Sequence, residues 1–482
     1  MILLPVALAV LIGAALVLLL WPAPLRASMR ILAASSMGVG AGFGICSSLY
    51  FLWLIIVGPK ILGLAILDVA ILAAAAAIFM WKARRHPALD TNPPQGPTPA
   101  WLTGSLLAAA ALAILVFVLS SLRNPDGGWD AFAIWNLRAR FLERGGEWWR
   151  DAFSAKIPWT HPDYPLLLPG LVAMTFAFSG SESTLGPVSI AFLFLVATAG
   201  VLVATLALLR GRTQAVLAEI LLLSTSAFIL LSGYQYADVP LSFYILATLA
   251  ALCLQDEYRG TPGLSVLAGA LAGFAAWMKN EGMLFAAVVV VARAVSLIRF
   301  EGVKPAARQM SAFLAGMLPP LVVLAVFKIG FAPPNDLLTP HAQTSLAGNL
   351  VNAGRYWTVL VAFVQQAIAM GGFIVPIVLV LAAYLYLVKP AVEEKQMVTA
   401  WTLVLTLGFM LAGDFGVYQL LSYALDFQLK TSLDRVLLQL WPAAVLAFFF
   451  VAKTPQLQVQ VAEKRAPAKR LPKISRKPAE TR

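Results

Sequence analysis

Charged residues are scarce in this sequence. Asp, Glu, Lys and Arg occupy only 12% of its 482 positions, whereas 60% are hydrophobic. Such a chain cannot cover a water-soluble surface with polar groups, so its composition excludes a soluble globular protein. Cysteine is nearly absent as well. Its two residues, Cys46 and Cys253, lie in apolar runs, which argues against a disulfide framework or a thiolate metal site and favours packing roles.

The sequence also lacks a Gly-rich phosphate loop and any nucleic-acid recognition motif, although its formal net charge is +12. Much of that charge lies in residues 453–482, which are rich in Lys, Arg, Pro and Ala. We predict that this segment is a disordered cytoplasmic tail attracted to anionic lipid headgroups. The high charge therefore does not indicate a nucleic-acid partner.

Long apolar runs recur along the chain, close to the ~20 residues that an α-helix needs to cross a bilayer. They predict an all-α polytopic membrane protein with about thirteen transmembrane helices. The first run has no basic segment before it and no cleavage site before Arg26, so we predict a helix rather than a signal peptide. The predicted crossings are residues 2–20, 31–57, 61–81, 101–122, 187–209, 214–232, 239–255, 262–278, 282–298, 311–330, 371–388, 397–413 and 433–452.

Lys and Arg are concentrated in alternate connections, which predicts that these connections and the C-terminus are cytoplasmic. This orientation requires that the Pro-flanked apolar stretch 166–179 does not cross, and about 14 residues suit an interfacial or re-entrant helix. The protein is then expected in the inner (cytoplasmic) membrane. Its polar segments 123–187, 234–238, 279–281, 331–356 and 414–435 share the outer, periplasmic face.

Four regions follow from this pattern. Residues 1–100 hold three N-terminal transmembrane helices and a cytoplasmic linker, and residues 101–300 form a core that includes the outer loop 123–187. Residues 301–452 form a C-terminal transmembrane region, and residues 453–482 are the tail.

The outer loop opens with two carboxylates, Asp126 and Asp130, on either side of two glycines and Trp129. A carboxylate just beyond a membrane span is placed where a base can meet a bilayer-anchored substrate, which favours Asp130. Asp126 is equally consistent with a turn or an N-cap. Residues 131–149 alternate apolar and basic positions, which predicts an interfacial amphipathic helix, with Arg138 able to contact a lipid phosphate.

Three further polar groups are predicted on the same face. The sequence His161-Pro162-Asp163-Tyr164-Pro165 presents three functional side chains on a backbone stiffened by proline. Asp238, Lys279 and Glu281 lie at helix ends, where ionisable groups at membrane depth indicate a site. The alternative for Lys279 and Glu281 is snorkelling at an ordinary turn. Arg435 either clamps a phosphate or pairs with Asp434 or Asp426, and Asp68 is predicted to pair with a neighbouring helix.

In their order along the chain these motifs resemble the GT-C class of membrane glycosyltransferases, which includes protein O-mannosyltransferases and lipid A aminoarabinose transferases. Asp130 matches the acidic residue of the first outer loop, and His161-Pro162 matches the His/Lys-Pro element that follows it. Asp238-Val239-Pro240 matches a later Asp-x-Pro, and Lys279 matches the Lys after the next span. The resemblance covers residues 101–299 well and residues 431–435 more loosely.

The resemblance implies inverting transfer of a sugar from a polyprenyl-phosphate donor to an envelope glycan, lipid or protein acceptor. Asp130 would act as the base, with Asp238 as the second catalytic residue. The candidates for the donor phosphate are His161, Lys279, Arg435 and Arg138, and those for the sugar or acceptor are Trp129, Trp135, Asp163, Tyr164, Tyr236 and Glu281. No cofactor is certain, but Asp126, Asp130 and Asp163 could hold a divalent cation.

Two other functions remain open from the sequence. One is a transporter or flippase for a lipid-linked saccharide, which would place charges along a path between both faces. The other is a polysaccharide polymerase or ligase. A glycosyltransferase predicts that Asp130, His161, Asp238 and Lys279 surround one outer cavity.

Overall fold

The computed structural model describes residues 2–21, 28–85, 98–259, 261–335, 346–421 and 424–455. Within these ranges the regular structure is helical, as predicted, apart from one isolated β-bridge between Pro390 and Ala452. The α-helices are α1 Leu4–Leu20, α2 Ser28–Ile56, α3 Ile61–Arg85, α4 Ala100–Arg123, α5 Asn136–Arg144, α6 Leu167–Ser179, α7 Leu185–Leu209, α8 Arg212–Leu223, α9 Ser226–Gly233, α10 Asp238–Glu257, α11 Gly263–Met278, α12 Asn280–Glu301, α13 Val303–Gly330, α14 Leu346–Val351, α15 Ala353–Ala369, α16 Ile377–Val388, α17 Met397–Leu420 and α18 Leu425–Val451.

Among the described residues, nine helices are long and apolar enough to cross a membrane, or up to eleven if each of two bent pairs is one span. The pair α8 and α9 bends by 62°, and the pair formed by residues 353–372 and α16 bends by 81°. Two more predicted crossings correspond to α1 and α11, which have only 17 and 16 residues. The protein is thus a multi-pass membrane protein, while the count of thirteen and the orientation stay predictions.

Helix α10 is the centre of the bundle, because the whole of its apolar window is buried by protein. It packs against α7, α11 and α18. By contrast, only 17% of the corresponding windows of α3 and α4 is buried, so their apolar side chains form the outer surface that lipid would cover. The fold therefore places Asp238, the first residue of α10, at one end of the most enclosed helix.

Two segments that were predicted to be outer loops contain helices. Residues 414–435 are mostly helical, because α17 continues to Leu420 and α18 begins at Leu425. Helix α15 was not predicted, and it begins inside the segment 331–356, of which residues 336–345 lie outside the described residues. The crossing predicted at 371–388 starts only at Ile377, since Gly371 and Gly372 adopt positive φ and break the helix.

The outer loop also differs from a single amphipathic helix over 131–149. It forms a π-helix over Ala131–Trp135, then α5, then a 3₁₀-helix over Gly146–Phe153. Helix α6 has 13 residues, too few to cross alone, and residues 167–176 are all buried by protein. Protein packing therefore accounts for its apolar character. The predicted linker and tail lie largely outside the described residues, at 86–97 and 456–482.

A buried ion pair holds four helices together at the end of α10 opposite Asp238. Arg293 of α12 donates to both carboxylate oxygens of Asp256, at 2.6 and 2.9 Å, and to Gln309 of α13 at 3.0 Å. Thr399 of α17 donates to the same carboxylate at 2.6 Å. A planar fork in a buried site suits Arg and not Lys.

We expect Arg293→Lys to lower the free energy of unfolding by roughly 1.5–3 kcal/mol, the usual worth of a hydrogen bond to a buried charged group. The measurement is the thermal unfolding of the purified protein in detergent. The matched control is Arg259→Lys, because Arg259 is 55% exposed in its pair with Glu301 and should change the midpoint little. Equal midpoints for both variants would contradict the structural role of Arg293.

Candidate functional site

The charge cluster consists of Asp130, Asp238, Lys279, Glu281 and Arg435, which come from four separate parts of the chain. Nη1 of Arg435 lies 2.6 Å from Oδ2 of Asp130, although 305 residues separate them. Nζ of Lys279 lies 3.1 Å from Asp238 and 2.8 Å from Glu281. All five residues were predicted as site residues, and the structure brings them together at the Asp238 end of α10.

The sequence of the α11–α12 junction explains the position of Lys279. Helix α11 ends at Met278, Lys279 adopts an extended backbone, and α12 begins at Asn280. The side chain of Lys279 is therefore directed into the bundle, where the residue is only 5% exposed. Burial alone would lower its pKa, but the carboxylates of Asp238 and Glu281 outweigh this and raise it. Snorkelling at an ordinary turn is thus wrong for this lysine.

Arg435 pairs with neither Asp434 nor Asp426, the two partners considered from the sequence. Besides its bond to Asp130, its guanidinium lies 5.2 Å from the ring centre of Tyr236, a cation–π contact. The Tyr236 hydroxyl has a raised pKa, caused first by burial and then by the negative charge of Asp130, while Arg435 opposes the shift. Tyr236 therefore belongs beside the charge cluster, as predicted.

Hydrogen bonds dock the start of the outer loop on the α9–α10 connection. The amide of Gly128 donates to the carbonyl of Tyr234 at 2.9 Å, and Gln235 donates to the carbonyl of Pro125 at 3.0 Å. Asn136 donates to the side chain of Gln235 at 3.1 Å. These bonds set the position of Asp130 opposite Arg435.

Gly127 is required for this docking, since its φ is +81° and an added Cβ would lie 2.7 Å from the carbonyl oxygen of Tyr234. We expect Gly127→Ala to loosen the loop, with about tenfold faster limited proteolysis for a cost near 1.4 kcal/mol. Gly146→Ala is the control, because Gly146 also has positive φ but open space around it. If both variants are cleaved equally fast, the close approach to Tyr234 does not hold the loop.

A second group, the loop cluster, consists of Trp135, Arg138, His161, Asp163 and Tyr164. The ring of Tyr164 stacks between His161 and Trp135, at centroid distances of 4.8 and 5.7 Å. His161 has a φ of 46°, a left-handed conformation that the prolines on either side of this turn help to hold. The turn thus brings the His161 and Tyr164 side chains together, while the rigidity of this segment stays a prediction.

Asp163 connects the loop cluster to the membrane helices. Its carboxylate accepts a hydrogen bond from Asn280 at 2.7 Å, and its carbonyl accepts one from Nζ of Lys328 at 2.6 Å. Lys328 also donates to the side chain of Asn280 at 2.9 Å. Since Asn280 lies between Lys279 and Glu281 in sequence, one short segment of α12 contacts both clusters.

Arg138 is completely buried, with its guanidinium 5.7 Å from the ring centre of Phe153. Within the part of the chain that the structure describes, its Nε, Nη1 and Nη2 have no hydrogen-bond partner. Burial lowers its pKa to about 9, against the opposing charge of Asp163. A lipid-surface position is therefore wrong for this residue, since it faces the protein interior.

The remaining predicted residues lie outside these contacts. Trp129 is 62% exposed and packs edge-on against Phe132 at 5.1 Å. Asp126 pairs with Arg140 at 3.2 Å. The carboxylates of Asp126, Asp130 and Asp163 are each engaged by a different residue, and the described residues contain no group of three His, Cys, Asp or Glu side chains placed to hold a metal. We therefore assign no step to a metal ion.

Several polar residues around the clusters were missed from the sequence. Gln439 of α18 donates to Asp238 at 2.7 Å, and Asp414 of α17 lies within electrostatic range of Glu281 and Lys279. Lys328 is an isolated cation near the end of the predicted crossing 311–330. Because charge at membrane depth is costly, it could have been selected from the sequence as a candidate site residue. Asp68 is buried as predicted, but neither carboxylate oxygen has a hydrogen-bond partner among the described residues, so its expected pairing is not found.

A small cavity lies next to Tyr236. A cavity lined by residues that include Asn136, Gln235 and Tyr236 has a volume of about 10 Å³, enough for one water molecule.

Comparison with models of known protein families, with curated proteins and with solved structures gives no match to this chain. Function is therefore inferred from the geometry and from the resemblance of the motifs.

Proposed function

We propose that the protein is a membrane glycosyltransferase that moves a sugar from a polyprenyl-phosphate donor to an envelope acceptor at the outer face. The observation that carries this proposal is the charge cluster. Asp130, Asp238 and Lys279 were selected from the sequence for their order and residue type. Asp130 pairs with Arg435 and Asp238 pairs with Lys279, and Arg435 lies within electrostatic range of the second pair. Charged side chains at membrane depth cost free energy, so a group of them indicates a functional site.

In the proposed reaction, an acceptor hydroxyl attacks the anomeric carbon of the sugar and transfers its proton to the carboxylate of Asp130. The bond between that carbon and the phosphate oxygen breaks, and polyprenyl phosphate leaves with the electron pair. Attack from the opposite face inverts the anomeric configuration. Arg435 orients Asp130 through one carboxylate oxygen, and Lys279 and Gln439 both bond to Oδ1 of Asp238.

A transporter or flippase is less well supported, because the charged residues of the central helix α10 lie only at its two ends. Between Asp238 and Asp256 the helix is buried, and its middle is apolar apart from Ser242, Tyr244 and Thr248. Hydroxyls of this kind do not form a charged path between the two faces. A polymerase or ligase would use the same cluster with a longer glycan acceptor.

The test is release of free polyprenyl phosphate from a panel of polyprenyl-phosphate sugars, in membranes that contain the protein and a crude envelope fraction. Membranes prepared identically from cells that lack the protein are the control. Release from one donor only in the presence of the protein would support transfer and identify the sugar. Equal release from both membranes with every donor would reject the proposal and favour transport.

A further inference from the structure

Arg138 is a buried cation whose hydrogen-bonding capacity is unused by the protein. A guanidinium carries five N–H donors in a planar fork, and a buried donor without a partner costs about 1–3 kcal/mol, or more for a charged group. Arg138 is 0% exposed, and its three nitrogens have no hydrogen-bond partner among the described residues. A ligand with several acceptor oxygens would satisfy these donors.

A second cation lies close to Arg138. Lys328 is within electrostatic range of it, and among the described residues the two share one carboxylate neighbour, Asp163. That carboxylate already accepts a hydrogen bond from Asn280, and its distance from Nζ of Lys328 is 3.6 Å. Within the described part of the chain, two cations therefore face one carboxylate here, an excess of one positive charge.

The charge cluster has the opposite balance. Arg435 is paired with Asp130, and Lys279 is held by both Asp238 and Glu281. The positive charge of each of these two cations is therefore already offset by at least one carboxylate. The excess of positive charge needed by an anionic ligand is therefore at Arg138 and Lys328.

We infer that Arg138 and Lys328 form the binding subsite for a phosphate-type oxyanion, and that Lys279 and Arg435 instead hold the carboxylates of the charge cluster in place. A phosphate presents enough oxygens for the guanidinium fork and the ammonium together. The side chain of Lys328 is 24% exposed, so the subsite is open on its side. If the proposed function is correct, the oxyanion is the phosphate of the lipid-linked donor.

The experiment measures equilibrium binding of a labelled polyprenyl phosphate to the full-length protein in nanodiscs of zwitterionic lipid, with inorganic phosphate as competitor. Lys328→Gln and Arg138→Gln should each weaken binding by about tenfold or more, equivalent to at least one charge-assisted hydrogen bond. Lys328→Gln is the decisive variant, since Lys328 is partly exposed and its loss leaves the bundle core intact. Lys156→Gln, an exposed cation of the same outer loop, should leave binding unchanged.

Unchanged binding in Lys328→Gln and Arg138→Gln would overturn the subsite and leave water as the partner of Arg138. Loss of binding in Arg435→Gln but not in Lys328→Gln would also overturn it. Competition by inorganic phosphate at the affinity of the lipid would reject a lipid-linked ligand. Because binding is measured without transfer, variant-dependent binding with no sugar release would keep the subsite and reject the glycosyltransferase. Sugar release, with binding that the variants do not change, would support the glycosyltransferase and reject the subsite.

Discussion

Asp130→Asn is expected to reduce release of polyprenyl phosphate by about 10²–10⁴-fold, the usual contribution of a positioned general base. The amide has nearly the same shape as the carboxylate but cannot accept the proton of the acceptor hydroxyl. The substitution also removes the charge that Arg435 contacts at 2.6 Å, so part of the loss could come from misplacement of Arg435. Rates must therefore be compared at equal amounts of folded protein.

The control for this variant is Asp151→Asn, which makes the same chemical change in the same outer loop at an exposed position. Its rate should stay within about twofold of the wild type, since surface substitutions rarely disturb a site. A near-normal rate in Asp130→Asn would remove Asp130 from the chemistry. Equal losses in both variants would indicate that the loop tolerates no change, and would make the base assignment void.

Lys279→Met is expected to lower the free energy of unfolding by roughly 3–5 kcal/mol, because it leaves buried carboxylates without their cation. Asp238 is 1% exposed, and among the residues that the structure describes it would keep Gln439 as its one close side-chain hydrogen-bond donor. Thermal unfolding in detergent measures the loss. The double variant Lys279→Met with Asp238→Asn should recover much of it, since the amide carries no charge to be left unpaired.

Lys156→Met is the matched control, because Lys156 is exposed and its change should not shift the midpoint. If the double variant is no more stable than Lys279→Met alone, the ion pair with Asp238 is not what Lys279 contributes. Retention of ligand binding by the double variant would further support a positioning role for Lys279.

The local sequence pattern predicted a residue's position correctly where that position depends on its neighbours in sequence. Lys279 was expected between the crossings 262–278 and 282–298, and it lies between α11, which ends at Met278, and α12, which begins at Asn280. The turn at His161 follows from its prolines. Asp238 was placed at a helix end by the short polar connection before it. In each case the signal lies within about ten residues.

Pattern was misleading where helix ends depend on packing. Residues 414–435 have the polarity of a loop, yet Asp414 is buried and lies inside α17, which continues to Leu420 and packs against α12 and α18. Arg138 has the spacing of a surface residue on an amphipathic helix, but the outer loop folds it inward under Phe153. Hydropathy averages cannot register such partners, since they are remote in the chain.

The sequence by itself determined the class of the protein, because apolar runs of bilayer length allow only helices that satisfy their own backbone hydrogen bonds. It also determined which polar residues are candidates, since charges are rare enough in this chain to stand out. The tertiary structure alone decided which of them meet. The pairing of Asp130 with Arg435 joins residues 305 positions apart, and the contact of Lys328 with Asp163 joins residues 165 apart. Only the packing of the helices brings such remote residues into contact. These contacts distinguish Lys279 and Arg435, which are paired with carboxylates, from Arg138 and Lys328, which we propose bind a ligand.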